Sequence, residues 1–583
     1  MTRPLRSWRA TYVVIVVAST LGCSGSTEQP PSTATATAGV QWSAVRSELV
    51  EDYLKAHPAF AVVAGRHEFD GVLPDWTAQG IAAEITRLDG AKARLMGMPD
   101  TALDEASRFE RDGFVSRIDR DLFWLEAVQA PSTNPAFYVD WMLDNLDPAP
   151  YLTRTYAPLD TRMRAYTKYA QSVQKAAEQI RTTLRPPLAR PLIDRGVSAF
   201  KGFADFFAKD VATVFAEAKD ASAKTEFTDA NAAAATAMRD LATWLEQQRA
   251  TATTSFALGP ENFAKMLAAT EGVTTPLTEL EAAGRADLAR NQQALRDACT
   301  KYAPGATVQA CMAKMASNKP TGGAVAGARI QLADLKKFVQ DAGFATIPGT
   351  EDALVNEAPP YNRDNFAYID IPGPYEKGLP AIYYIAPPDP SWPAKEQRDY
   401  LPGKADLLFT SAHEVWPGHF LQFLHSNRNP SIIGRLFVGY AYAEGWAHYA
   451  EEATWEMGLG NGDLETHIGQ LSNALLRNVR YLSAIGLHTK GMSVADAEKM
   501  FREEAFSDAG TARQQAARGT YDPAYLNYTM GKLMIRRLRD DWTASRGGRK
   551  AWREFHDRFL GEAAPTIPLV RKQMMGNGGG ALF

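Results

Sequence analysis

The run His413-Glu414-Val415-Trp416-Pro417-Gly418-His419-Phe420-Leu421-Gln422 governs how the rest of the chain is read. Two imidazoles, a carboxylate and a Pro-Gly pair lie together in it. Neutral imidazoles with a carboxylate from elsewhere are the ligand set of zinc, and a Glu beside the first His is placed to activate water. The usual pattern puts the two His at i and i+4, on one face of a helix. Here they stand at i and i+6, so on a straight helix the rings would diverge by about 120°. Both reach one ion only if the helix is distorted between them. Pro417 removes a backbone donor there, and Gly418 tolerates unusual backbone angles. His413 is therefore a candidate ligand and Glu414 the candidate general base. His419 is a second ligand, or else a group behind the ligands or one that binds substrate beyond the kink.

About thirty residues later comes Ala443-Glu444-Gly445-Trp446-Ala447-His448-Tyr449-Ala450-Glu451-Glu452. Glu444 is the candidate third ligand, since Gly445-Trp446 beside it suggests close, buried packing. His448, four residues on, shares its helix face and is a rival ligand or an orienting partner. Glu451, with Glu452 and Glu456, reads more readily as solvated charge. It stands with His448 and Gln422 among residues that would lie behind the ligands or replace one. Downstream, Tyr528 is the candidate hydroxyl for stabilising the oxyanion of a tetrahedral intermediate. Arg477, Arg480 and His488 are candidates to bind a substrate carboxylate or the oxyanion, with ion-paired surface residues the alternative for the two arginines. His/His/Glu ligation favours zinc, one Zn2+ per chain, over magnesium or calcium.

Upstream, apolar residues recur near i, i+3, i+4 and i+7 in segments 43–55, 81–96, 106–128, 161–184, 194–220, 230–249 and 277–302, which predicts helices. Helical signal returns from 404, with segments 432–457, 468–490, 494–506, 525–546 and 550–560. Between them, 366–371 and 381–385 are rich in β-branched and aromatic residues and read as strands. The second, containing Tyr384, would offer an edge along which an extended peptide substrate pairs. A purely structural hairpin is the alternative. Cys299 and Cys311 flank the turn signal Pro304-Gly305, and in an exported protein such a pair reads as a disulfide across a helical hairpin.

Export is signalled by Arg3, Arg6 and Arg9 ahead of a short apolar run, 12–21, too short to span a bilayer comfortably. Thr20-Leu21-Gly22-Cys23 resembles a lipobox with Thr20 in place of the usual Leu, making Cys23 the lipidation site. An ordinary secretory signal cut near Gly22 is the alternative. Ser24 after the Cys suits sorting to a Gram-negative outer membrane, facing the periplasm. The expected organisation is a signal over 1–23, a disordered Ser/Thr/Pro/Ala tether over 24–40, a helical scaffold over 41–345 and the metal-site region over 346–583. The 583 residues are 45% hydrophobic, ample for a large core, and the net charge of −4 gives no reason to expect nucleic acid as a partner. Membrane contact is expected only through the lipid anchor. Six of the nine His fall between 413 and 488.

With these residues in view, the chain resembles a large bacterial family, domain of unknown function 885 (DUF885). The carrying motifs are H-E-x-x-P-G-H-x-L-Q at 413–422, E-G-W-A-x-Y-A-E at 444–451 and Tyr-x-x-Gly at 528–531. Weaker echoes occur at Gly65–Asp70 and Leu73-Pro74-Asp75 and in the cysteine pair. The resemblance implies an envelope protein and a mainly α fold. That fold would be a large two-lobed helical body with a deep cleft, similar to neurolysin and Taq-carboxypeptidase-type metallopeptidases. Phe420, Ala484 and Asp522-Pro523-Ala524 depart from the family pattern, at positions that bear on substrate more than metal. The function implied is a zinc peptidase acting through a metal-activated water. A metal-free peptide-binding lipoprotein and a zinc hydrolase of non-peptide amides are the rival readings.

Overall fold

The computed structural model describes residues 33–139, 144–359, 362–363, 366–563, 565–576 and 581–583. The signal and Cys23 lie outside them, as does most of the tether. The fold is mainly α, with one small three-stranded sheet. No helix among the described residues is long and apolar enough to cross a membrane.

The first helix, α1 (Thr33–Ala56), begins inside the stretch expected to be disordered. Ala-rich sequence extends readily from a helix that buries Trp42, Leu49 and Tyr53 further on. Next come α2 (Glu105–Leu122), α3 (Leu159–Thr183), α4 (Arg190–Lys209) and α5 (Ala221–Gln247). Helix α5 packs on both α3 and α4. An aromatic cluster joins them, with Tyr166 5.8 Å from Phe227 and 6.4 Å from Phe207. Then follow α6 (Gly259–Glu271), α7 (Leu277–Tyr302), α8 (Val308–Ser317) and α9 (Ala324–Asp341). The Cys299–Cys311 disulfide joins α7 to α8 as expected.

The sheet contains β1 (Ala353–Glu357), β2 (Ala367–Asp370) and β3 (Ala381–Ile385), in the order β1-β3-β2. β3 pairs parallel with β1 and antiparallel with β2, so Tyr383 has Val355 on one side and Ile369 on the other. This corrects the expectation that a peptide pairs along Ala381–Ile385. Both hydrogen-bonding edges of β3 are taken, one of them by β1, whose Asn356 and Glu357 hid its strand character in the sequence.

The C-terminal region includes α10 (Lys404–Glu414), α11 (His419–Ser426), α12 (Tyr440–Glu456), α13 (Leu464–Thr489), α14 (Ala509–Tyr521) and α15 (Asn527–Ala544). Helix α13 packs on both α7 and α10, and α12 lies along α15. The single helix expected over 432–457 is broken. A short helix, Ile432–Leu436, ends before α12 starts. At the break Gly439 lies against Pro565, where an added Cβ would stand 1.4 Å from the carbonyl oxygen. Helices α12 and α15 touch backbone to backbone. A Cβ on Gly445 would meet the Gly531 Cα at 2.4 Å, and one on Gly531 would meet the Ala441 carbonyl at 2.2 Å. This contact fixes Glu444 of α12 against Tyr528 of α15. One hydrophobic core runs through the body from Trp42 to Val570.

Candidate metal centre

Helix α10 stops at Glu414 and α11 restarts at His419. Between them the Gly418 N–H reaches back to the Ala412 carbonyl at 2.9 Å, and the Gly418 carbonyl accepts from the Gln422 N–H at 3.0 Å. A Cβ at Gly418 would stand 1.7 Å from the His413 carbonyl oxygen, so no other residue fits this fold-back. Trp446, wholly buried on α12, donates its Nε1–H to the Pro417 carbonyl at 2.9 Å and pins the turn from the opposite helix. The 120° divergence expected of a straight helix is thereby removed. The His413 and His419 rings lie 4.8 Å apart, nearly perpendicular, and turn toward the same point.

That point is beside Glu444. Its Oε2 is 3.1 Å from His413 Nε2 and 3.3 Å from His419 Nε2. One ligand atom from each of the three residues falls within 4.8 Å of the others. A tetrahedral zinc with bonds of about 2.0–2.1 Å sets its ligand atoms roughly 3.3 Å apart. The donor types fit this ion, and so do the two separations to Glu444. Partial burial opposes ionisation of Glu444, but the two imidazoles outweigh it and hold the carboxyl well below the usual carboxylate range.

Behind the ligands, His413 Nδ1 lies 2.7 Å from Glu451 Oε1, and Glu451 is 3.2 Å from the Arg477 guanidinium. Glu451 and Glu452 are buried, which corrects their reading as solvated charge. Burial opposes ionisation of Glu451, but Arg477 and His413 outweigh it and keep the carboxyl strongly acidic. Burial likewise opposes protonation of His413, yet Glu444 and Glu451 push it up to about 9 without metal. A carboxylate on the far nitrogen fixes a ligand imidazole's tautomer and orientation. Glu451→Gln should therefore lower zinc affinity roughly 10–100-fold while leaving one site per chain, as read by competition with a chromogenic chelator. An unchanged affinity would remove Glu451 from the metal centre.

A cavity of about 750 Å³ opens at the site, lined by Glu414, His413, Tyr528, Arg477, Arg480 and Phe366 among others. Glu414 makes no side-chain hydrogen bond among the described residues, and burial raises its pKa. The Tyr528 ring stacks on that of His413 at 5.9 Å, and burial raises the phenol so that it keeps its proton. Arg477 and Arg480 are buried in the cavity wall and are not surface residues. Arg480 stacks on Tyr528, its guanidinium carbon 4.7 Å from the ring centre.

Four candidates fall elsewhere. His448 is buried, 3.6 Å from Glu451 and outside the ligand group, and burial beside Lys532 lowers it to about 4. His488 is spent on structure: its Nδ1 takes the Leu258 N–H at 3.3 Å and its Nε2 lies 2.7 Å from the Gly519 carbonyl. It shares a face with Arg477 but sits eleven residues, about 16 Å, further along α13. Tyr384 packs on Tyr368 at 5.1 Å and does not line the cavity. Gln422 is fully buried, donates through Nε2 to Ser426 Oγ and hydrogen-bonds to none of the three candidate ligands, its Oε1 having no partner among the described residues.

The sequence reading missed what surrounds Tyr528. Arg518 donates to the Tyr528 and Tyr440 hydroxyls at 3.4 and 3.1 Å and pairs with Asp522 at 2.9 Å. Tyr440 stands four residues before Glu444 on one face of α12, a spacing that would have flagged it. Also missed was the wholly buried Lys532, which bridges Asp287 and Glu452 at 2.6 and 3.2 Å and so ties α7, α12 and α15 together.

A family model described as bacterial protein of unknown function, DUF885, matches residues 58–574. Two solved structures share the fold. One, a proposed lipoprotein of unknown function from Shewanella oneidensis, is 21% identical over 92% of this chain and 99% of its own, with a TM-score of 0.74. The other, a proposed lipoprotein from Colwellia psychrerythraea, is 17% identical over 92% and 98%, with a TM-score of 0.77. No curated protein matches the chain.

Proposed function

The chain belongs to the DUF885 family of bacterial proteins, whose name carries no reaction, and we propose from its site that it is a zinc-dependent peptidase. The observation that carries this reading is the convergence of His413 Nε2, His419 Nε2 and Glu444 Oε2 beside the unbonded carboxylate of Glu414 at a cavity wall. His413, His419 and Glu444 would hold one zinc. When bound, the ion supplies Lewis-acid polarisation of a carbonyl and of a water molecule.

The protein's own groups do the rest. Glu414 takes a proton from the attacking water, whose oxygen bonds to the peptide carbonyl carbon. The Tyr528 hydroxyl donates to the carbonyl oxygen as it gains charge. The C–N bond then breaks, and Glu414 passes its proton to the leaving nitrogen. Arg518, hydrogen-bonded to the Tyr528 hydroxyl, orients it. The reading extends to location: an exported envelope lipoprotein anchored through Cys23 and facing the periplasm. The basic and apolar N-terminus and the two lipoprotein-like relatives support it.

The test is a soluble form beginning after Cys23, incubated with a randomised pool of N-acetylated peptides and read by mass spectrometry. Hydrolysis should stop on chelation and return with one equivalent of zinc. Hydrolysis that survives chelation, or none with one zinc bound, would overturn the reading.

A further inference from the structure

Arg477 and Arg480 line the cavity with Tyr528, Arg518 hydrogen-bonds to the Tyr528 hydroxyl, and two of these three guanidiniums have acidic partners. Arg477 is paired with Glu451 at 3.2 Å and Arg518 with Asp522 at 2.9 Å. Arg480 is the exception. Its Nε donates to the neutral Gln515 at 2.7 Å, and its plane lies on the Tyr528 ring. Its two terminal nitrogens meet no carboxylate and no other hydrogen-bond acceptor among the described residues. Yet the residue is only 4% exposed and lines the cavity. A buried charge left without a counter-charge is strongly destabilising. The unpaired side of this fork faces the space where substrate would lie. A planar guanidinium with two free donors matches a carboxylate in a bidentate pair.

We propose that Arg480 receives the free carboxylate at a peptide's C-terminus, so that the site acts as a carboxypeptidase; this rests on the peptidase reading above. Reach sets how much is removed. The Tyr528 ring centre is 4.7 Å from the Arg480 guanidinium carbon and 5.9 Å from the His413 ring centre. Laid end to end, these bound the guanidinium to within about 11 Å of His413, a span that about three extended residues would cover. Subtracting the ion-pair distance of about 2.8 Å leaves one or two residues beyond the bond that is cut. The bond between carbonyl carbon and nitrogen breaks as above, and a single amino acid or a dipeptide with a free carboxylate departs.

A carboxylate also occurs on Asp and Glu side chains, so the test separates the two sources. Binding is measured on zinc-loaded Glu414→Gln protein, which isolates recognition from turnover. The probes are three pools of randomised N-acetylated pentapeptides: free acids, C-terminal amides, and amides with Glu fixed at the last position. The free-acid pool should bind roughly 10–150-fold more tightly than the plain amides, the worth of hydrogen bonds to a charged group. In an Arg480→Gln background the two should become equal, and Arg480→Lys should restore part of the difference. Wild-type zinc protein should release only C-terminal amino acids or dipeptides from the free-acid pool. Amides binding as well as acids to protein with Arg480 intact would overturn the proposal, whether or not the Arg480 variants fold. So would Glu-terminated amides binding as well as acids, which would assign the fork to an acidic side chain. Discrimination between the pools without any cleavage by wild type would instead sink the peptidase reading and leave the carboxylate site standing.

Discussion

Glu414→Gln should leave one zinc per chain and lower peptide turnover roughly 10²–10⁴-fold, the usual worth of a positioned general base. The substitution keeps the shape of the side chain and removes only its ability to carry a proton. Little structural should follow from it, because the Glu414 carboxylate bonds no other side chain and faces the cavity. Its surroundings suit the role. Burial raises its pKa, while His413 and His419 pull the other way, so its basicity lies above that of an ordinary surface carboxylate. A base nearer to neutral transfers protons better at working pH. The measurements are metal content, thermal midpoint and the initial rate of hydrolysis, taken together. A variant that keeps zinc and melts like wild type but hydrolyses at the wild-type rate would exclude Glu414 as the base. A variant that loses zinc would show that Glu414 had been misread as standing beside the ion.

Much of this centre was legible because its determinants are local. His413, Glu414, Pro417, Gly418 and His419 sit in one run, and the need for a kink follows from counting 100° per residue. The fold-back of Gly418 onto the His413 carbonyl is that kink. The same counting, carried further, favours Glu451 over His448 as the residue behind the ligands. Seven residues from Glu444 is about 20° short of two full turns, closer to the Glu444 stripe than His448 at about 40°. The four-residue step alone ranks His448 ahead of Glu451, whose carboxylate then reads more readily as solvated. What no counting along one helix gives is pairing between distant segments. That β1 takes the open edge of β3 depends on residues 353–357, whose Asn and Glu do not announce a strand. That Arg480 lacks an acid depends on Glu451 of α12 and Asp522, just past the end of α14, being taken by its neighbours. His488 on the sequence is one more polar residue of α13. Only the packing of that helix against Leu258 and Gly519 shows its ring spent on structure.

His419→Ala should empty the site, with zinc affinity falling well beyond the roughly 10–100-fold expected for loss of an outer partner such as Glu451. His413 and Glu444 alone leave two protein ligands, too few for a catalytic zinc, which takes three and keeps a position open. The nearest remaining imidazole is not placed to substitute: His448 lies outside the ligand group, turned toward Glu451 and Lys532. The fold should survive the change. The turn before His419 is held by backbone bonds to Ala412 and Gly418 and by Trp446 on Pro417, none of which involves the imidazole. His419 Nδ1, moreover, is buried with no hydrogen-bond partner among the described residues, so truncating the ring breaks no bond on that side. A buried ring nitrogen left without a partner is costly in a residue kept only for packing. Its presence is consistent with a ring held for what Nε2 does. Metal analysis after dialysis against a weak chelator, with circular dichroism on the same sample, separates the outcomes. Little zinc in a folded variant would establish ligation across six residues through the Pro-Gly fold-back. Full zinc in the variant would mean that Glu444 and His413 recruit a different third group, and the geometry of Glu414 relative to the ion would have to be derived again from that group.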